Sequence, residues 1–167
     1  MKKSFISGYK LNEKFQLPQW SVLVISIVIA LTTSASIYRL NRWTEQSNYA
    51  QVLLVKMAEQ LSKINALEWE AIALKKFSSE EQEELTEIRE EIEFIFSELK
   101  KIDRQNNQLN YIANLYEQYD TAINQEIEFI QANQIEKAIA IDREIVDPIY
   151  DYMSEEITTL GEIYLLK

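Results

Sequence analysis

Three acidic side chains, Glu68, Glu126 and Asp142, stand where the surrounding three-and-four spacing of apolar residues expects a hydrophobic group. An acid at such a position faces a partner, a ligand or water. When the helices that carry them are folded as hairpins, Arg89 and Arg143 fall within a turn or two of these acids, and Trp69 lies beside Glu68. A planar guanidinium offers two parallel donors to a carboxylate or other small anion, and an indole offers a stacking face. The spacing therefore predicts a ligand-binding cluster of Arg89, Arg143, Glu68, Trp69 and Glu126. The competing reading is an ion network that fixes helix register, or side chains that simply face water. A second candidate is Asp147-Pro148 inside the last helix. Proline removes a backbone donor, and Asp as N-cap before Pro as first helical residue restarts a helix, which predicts a kink there that serves as a hinge or is a tolerated bend.

Other chemistry is excluded by composition. The chain has no Cys and no His, so disulfides, thiolate nucleophiles, zinc-protease motifs and His-based triads are absent. With two glycines among 167 residues it has no Gly-rich phosphate loop. Ser97-Glu-Leu-Lys100 matches Ser-x-x-Lys, but the Lys-Thr-Gly and Ser-Asp-Asn motifs that accompany it in acyl-serine enzymes are missing. The acids from Glu80 to Glu93 point around a helix and lack the spacing of a calcium loop, which reads as a solvated face. Tyr111, Tyr116 and Tyr119 form an aromatic stripe that reads as core packing rather than a pocket wall. No catalytic residue, metal set or cofactor is expected. A formal charge of −10 argues against a nucleic-acid partner.

The elements that must position these residues are all helical. Between residues 19 and 147 there is neither glycine nor proline, and Glu, Leu, Ile, Ala, Lys and Gln dominate. Trp20 to Tyr38 is uncharged for nineteen residues, enough to cross the roughly 30 Å hydrocarbon core. Trp20 and Tyr38 bracket it as interfacial aromatics. Lys2, Lys3, Lys10 and Lys14 precede it, against Arg39 and Arg42 after it, which places residues 1–19 in the cytoplasm as a tail, with the span in the inner (plasma) membrane. The small residues Ser34-Ala35-Ser36 offer the alternative of a cleaved signal peptide and a released acidic bundle, against which the apolar run is long and no helix breaker follows it.

Residues 43 to 167 hold 11 basic and 26 acidic side chains, so they face water. Their pattern predicts helices over about 40–77, 79–103, 107–132 and 134–166. Ser78 to Glu81 and Ser79 to Gln82 form overlapping capping boxes, and Asn133 to Glu136 forms another. Short turns make neighbours antiparallel, so the expected fold is all-α: a transmembrane helix continuing into an antiparallel up-down-up-down four-helix bundle over residues 39–167. The first and last helices are longer than the middle pair, which predicts a two-helix stem near the bilayer. Such a stem cannot bury its apolar stripe alone, so a homodimer through the first helix is expected.

A single membrane helix running into an acidic, glycine-poor bundle whose last helix returns to the membrane resembles the sensor modules of bacterial chemoreceptor-like receptors. The stretches Ala66-Leu-Glu-Trp-Glu-Ala-Ile, Gln131-Ala-Asn-Gln-Ile-Glu-Lys-Ala and Val146-Asp-Pro-Ile-Tyr look like input domains found ahead of diguanylate-cyclase and histidine-kinase output domains. The resemblance implies a dimeric, extracytoplasmic (periplasmic) signal-transduction module that binds a small ligand or senses envelope conditions. Displacement of its last helix would be read by an output domain that these residues do not include. The alternative is a membrane-tethered coiled-coil spacer or assembly protein that binds another protein and no ligand.

Overall fold

The computed structural model describes residues 19–166 of the chain, which divides between Asn41 and Arg42 into two compact units. Among the described residues there is no strand. The helices are α1 (Gln19–Leu74), α2 (Ser79–Ile102), α3 (Asn107–Gln131), α4 (Ile135–Ile141) and α5 (Asp147–Leu165), with a π turn over Asp142–Val146 joining the last two. The expected cytoplasmic tail with Lys2, Lys3, Lys10 and Lys14 lies outside the described residues, as does Lys167.

The described part of the first unit is the N-terminal portion of α1. It is long and apolar enough to cross a membrane, and Val22, Leu23, Ile25, Val28, Ile29 and Leu31 are all exposed along it. Its polar residues are partly neutralised within the helix. Ser26 Oγ donates to the Val22 carbonyl at 2.8 Å, Thr32 Oγ1 to Val28 at 2.9 Å and Ser36 Oγ to Thr32 at 2.9 Å. Hydroxyls satisfied one turn back can enter hydrocarbon without leaving a donor bare.

The second unit is built on one apolar core. Leu54, Met57, Leu61 and Ile64 of α1, Leu85, Ile88, Ile92, Ile95 and Leu99 of α2, and Leu109, Ile112, Ile123 and Ile130 of α3 are all buried, following the three-and-four spacing. Trp43, which begins that spacing, is exposed. Cross-helix bonds fix the register. Gln60 of α1 donates to Glu91 of α2 at 2.5 Å, and Tyr49 to Glu98 at 3.4 Å. Arg89 of α2 meets Asp120 of α3 at 2.6 Å, and the rings of Phe96 and Tyr116 lie 5.8 Å apart. Gln108 of α3 donates to Glu156 of α5 at 2.9 Å, and Ser47 of α1 donates to the carbonyl of Tyr164.

Helix ends follow the local chemistry. At the start of α2, Ser78 Oγ accepts from the Glu81 N–H at 3.2 Å while the Ser78 N–H donates to the Glu81 carboxylate, the first of the two capping boxes. Asn106 caps α3 by accepting from Leu109 N–H at 3.0 Å. Asn133 does not cap the next helix as expected. It sits at φ 57°, beyond the end of α3, where the Gln134 N–H reaches Phe129 O at 2.8 Å and the Asn133 N–H reaches Ile130 O at 3.0 Å. The end of α1 has the same geometry, with Lys75 at φ 54° and Lys76 N–H on Ala71 O at 3.1 Å. That left-handed residue stops α1 at Leu74 rather than near residue 77. A side chain in this region costs roughly 1 kcal/mol that glycine avoids. Lys75→Gly should therefore raise stability by about 0.5–1 kcal/mol in chemical denaturation; a loss of stability would show that Lys75 makes a compensating contact.

Two expectations are corrected. The two-helix stem is not present: the α2–α3 corner at Ile102 and Asp103 lies level with Trp43, Ser47 and Tyr164, and these residues line a cavity of about 220 Å³. The last helix is not one α-helix restarted at Asp147. Asp142, Val146 and Asp147 all keep right-handed helical dihedrals, Val146 rather than Asp147 precedes α5, and no side chain caps it. The break is instead the wider π turn, in which the Asp147 N–H bonds to Asp142 O, five residues back. The wider turn sits next to Pro148, whose ring would clash with the carbonyl four residues earlier in a regular α-helix.

Candidate functional site

The three off-pattern acids meet. Glu68 projects from α1, Glu126 from α3 and Asp142 from the first residue of the π turn, and they are 5 %, 0 % and 2 % exposed. An oxygen from each lies within 4.8 Å of the others. The surroundings are apolar: Glu68 and Glu126 line a void of about 10 Å³ with Ile64, Leu67, Phe77 and Ile130. Both oxygens of Glu68, both of Glu126 and Oδ1 of Asp142 are enclosed and meet no donor from any other described residue. Buried polar atoms are nearly always hydrogen-bonded, so five bare acceptors in one place are a large departure from the rule.

The electrostatics follow from that enclosure. Burial pushes the Glu68 carboxyl up to about 11, reinforced by its hydrogen bonding to Glu126 and Asp142 and by their charge. Burial likewise lifts Glu126 to about 7, with Asp142 and Asp147 adding to it while the hydrogen bond from Glu68 opposes it. Glu68 is thus the member that holds a proton at neutral pH. Tyr119 lies beside the cluster. Its hydroxyl is buried without a partner, its ring centroid is 6.3 Å from that of Tyr150, and burial followed by the charge of Glu68 raises its pKa. Asp147 is also raised, by burial and then by Asp142 and Asp151.

The remaining residues expected at the site are elsewhere. Arg89 donates from Nε to Asp120 at 2.6 Å and from Nη2 to Asn124 at 2.8 Å, across α2 and α3. Arg143 is exposed, and Trp69 is 49 % exposed. No guanidinium reaches the three carboxylates. Each of these three residues follows an inward-facing one in sequence, Ile88, Asp142 and Glu68, and a step of one helical residue turns about 100° away from the core. The cluster is therefore acidic throughout, with no cationic group, and has nothing with which to clamp an anion. Its chemistry is to share a proton or to hold a cation.

Sequence reading missed the π turn. It followed Ile141, Ile145, Ile149 and Tyr152, whereas Ile145 is 41 % and Tyr152 60 % exposed, and Val146 and Met153 are the buried residues. The available signal was Ala138, Asp142, Val146 and Tyr150, spaced by four three times in succession, a drift that a regular α-helix cannot keep facing one direction. The chain matches no protein-family model, no curated protein sequence and no solved structure.

Proposed function

We propose that this chain is the membrane-anchored input module of a signal-transduction system. Residues 20–38 cross the inner membrane with the N-terminus in the cytoplasm, and residues 39–167 form an antiparallel up-down-up-down bundle outside it. The paired contacts support that topology, because in each one higher numbers on one helix meet lower numbers on the next. The module acts by binding rather than by catalysis. The observation that carries this reading is the unbalanced carboxylate cluster, contributed by α1, α3 and the π turn. A core built for stability alone would hold apolar residues there, so the presence of the three acids supports a responsive element. The homodimer forms through α1, where Val52, Val55, Ala66 and Trp69 make an exposed stripe facing away from the core.

The absence of cysteine makes the test clean. A membrane-impermeant maleimide should label a cysteine at exposed Glu128 in spheroplasts and leave one at Ser7 unlabelled. Spin labels on α1 and α5, at Lys56 and Thr159, should change separation when cation concentration or pH is altered in the full chain. Reversed labelling would overturn the topology. An invariant separation, together with a stably bound partner protein, would favour the spacer reading instead.

A further inference from the structure

We propose that Glu68, Glu126 and Asp142 form a site for one hard divalent cation, Ca²⁺ or Mn²⁺, inside the helical bundle. The inference deepens the input-module reading by naming its ligand, and it rests on that reading only for the consequence of binding.

The donor set is the first argument. Three carboxylates supply up to six oxygens and no nitrogen or sulfur, the preference of Ca²⁺, Mn²⁺ and Mg²⁺ rather than of zinc or copper. Oxygens that share an ion at 2.3–2.6 Å lie no more than about 5.2 Å apart, and the three side chains already present oxygens within 4.8 Å of one another. Little rearrangement is required.

The second argument is independent of proximity. Acids on a surface cluster freely because water solvates them, but these residues are all more than nine-tenths buried, and five of their oxygens have no donor. One shared proton can satisfy two of those oxygens, and a cation at the centre would satisfy all three groups together. The partnerless Tyr119 hydroxyl is also buried here, under the charge of Glu68 and Glu126. It is close enough to feel both carboxyl groups, in the zone where outer groups around metal ligands sit.

Space selects among the hard ions. The three carboxylates are enclosed on all sides, at 5 %, 0 % and 2 % exposure, which leaves little room for waters carried in by an ion. Mg²⁺ gives up its waters reluctantly and demands a regular octahedron, whereas Ca²⁺ accepts bidentate carboxylates in irregular geometry. The site therefore favours an ion stripped of most of its water. Asp147, half-buried, and Asp151, exposed, continue the acidic side chains from Asp142 to the surface, which provides an entry path.

The experiment uses the full chain in detergent, first freed of metal with a chelator. Titration with Mn²⁺, followed by loss of the free-ion paramagnetic signal, should saturate near one ion per chain. Ca²⁺ should compete, and Mg²⁺ should compete at least tenfold less well. Saturating Ca²⁺ should raise the melting temperature by roughly 5–10 °C. Glu126→Gln and Asp142→Asn should weaken binding at least tenfold while circular dichroism stays helical, and the paired change Glu83→Gln, Glu87→Gln on the exposed acidic face should leave it intact. The site is overturned if the folded wild-type chain shows no saturable binding at millimolar Mn²⁺ or Ca²⁺, or if Glu126→Gln and Asp142→Asn bind as well as wild type. Cation binding without any change between the labels on α1 and α5 would keep the site and sink the input-module reading. Label movement driven by another stimulus in a chain that binds no cation would do the reverse.

Discussion

Glu68→Gln should stabilise the metal-free protein at pH 8 by on the order of 2–4 kcal/mol, roughly 10 °C in melting temperature, and change it by under about 1 kcal/mol at pH 5. The sign follows from the direction of the shifts. Glu68 rises from an ordinary 4.5 to about 11, and Glu126 from 4.5 to about 7. A raised folded-state value means that the folded protein keeps protons the unfolded chain has released, so stability falls as pH rises. Both groups contribute to the fall between about pH 4.5 and 7, and Glu68 alone contributes from there to about 11. The groups facing them are Asp142, Asp147 and Tyr119, none of which brings a positive charge. Glutamine is neutral at every pH and its amide can donate to Glu126 and Asp142, so the variant should also show a flatter profile of melting temperature against pH. Measurement in chelator from pH 5 to 9 decides it. Equal gains at pH 5 and pH 8, or a loss at both, would mean that the cluster does not carry the pH dependence.

The second large effect tests the π turn. Met153→Ala should cost about 2–5 kcal/mol in chemical denaturation, the usual range for emptying a buried site of that size, because Met153 is 0 % exposed. Tyr152→Ala removes a larger side chain yet should cost under about 1 kcal/mol, since Tyr152 faces solvent. An unbroken α-helix in the spacing of Ile141, Ile145 and Ile149 would give the opposite order. The pair of variants therefore reads the helical phase of α5 directly.

The parts of this fold that were legible in sequence are those governed by local chemistry and a constant period. Leu85, Ile88, Ile92, Ile95 and Leu99 keep one face because α2 is regular, and all are buried. Ser78 and Glu81 cap it because both partners lie within one turn. The acids at the site were visible as breaks in the apolar pattern. Their neighbours were not, because sequence adjacency to Glu68 or Asp142 turns Trp69 and Arg143 outward, and Arg89 finds Asp120 and Asn124 on a facing helix whose register no local rule fixes. The left-handed ends at Lys75 and Asn133 escaped notice for want of glycine. The π turn escaped because it changes the period itself while leaving every residue helical.

That change of period leaves the last helix with two apolar ladders one residue apart. The ladder through Val146 and Met153 is fully buried, with Tyr150 half-buried between them, and brings Asp142 with it, while in the ladder through Ile141, Ile145, Ile149 and Tyr152 no residue is fully buried. Moving the surplus residue toward the C-terminus would advance the residues it passes by about 1.5 Å and rotate them by about 100°. Over that stretch Ile145, Ile149 and Tyr152 would turn inward in place of Val146, Tyr150 and Met153. The helix thus carries two apolar faces offset by one residue, and the position of the π turn decides which of them packs inward.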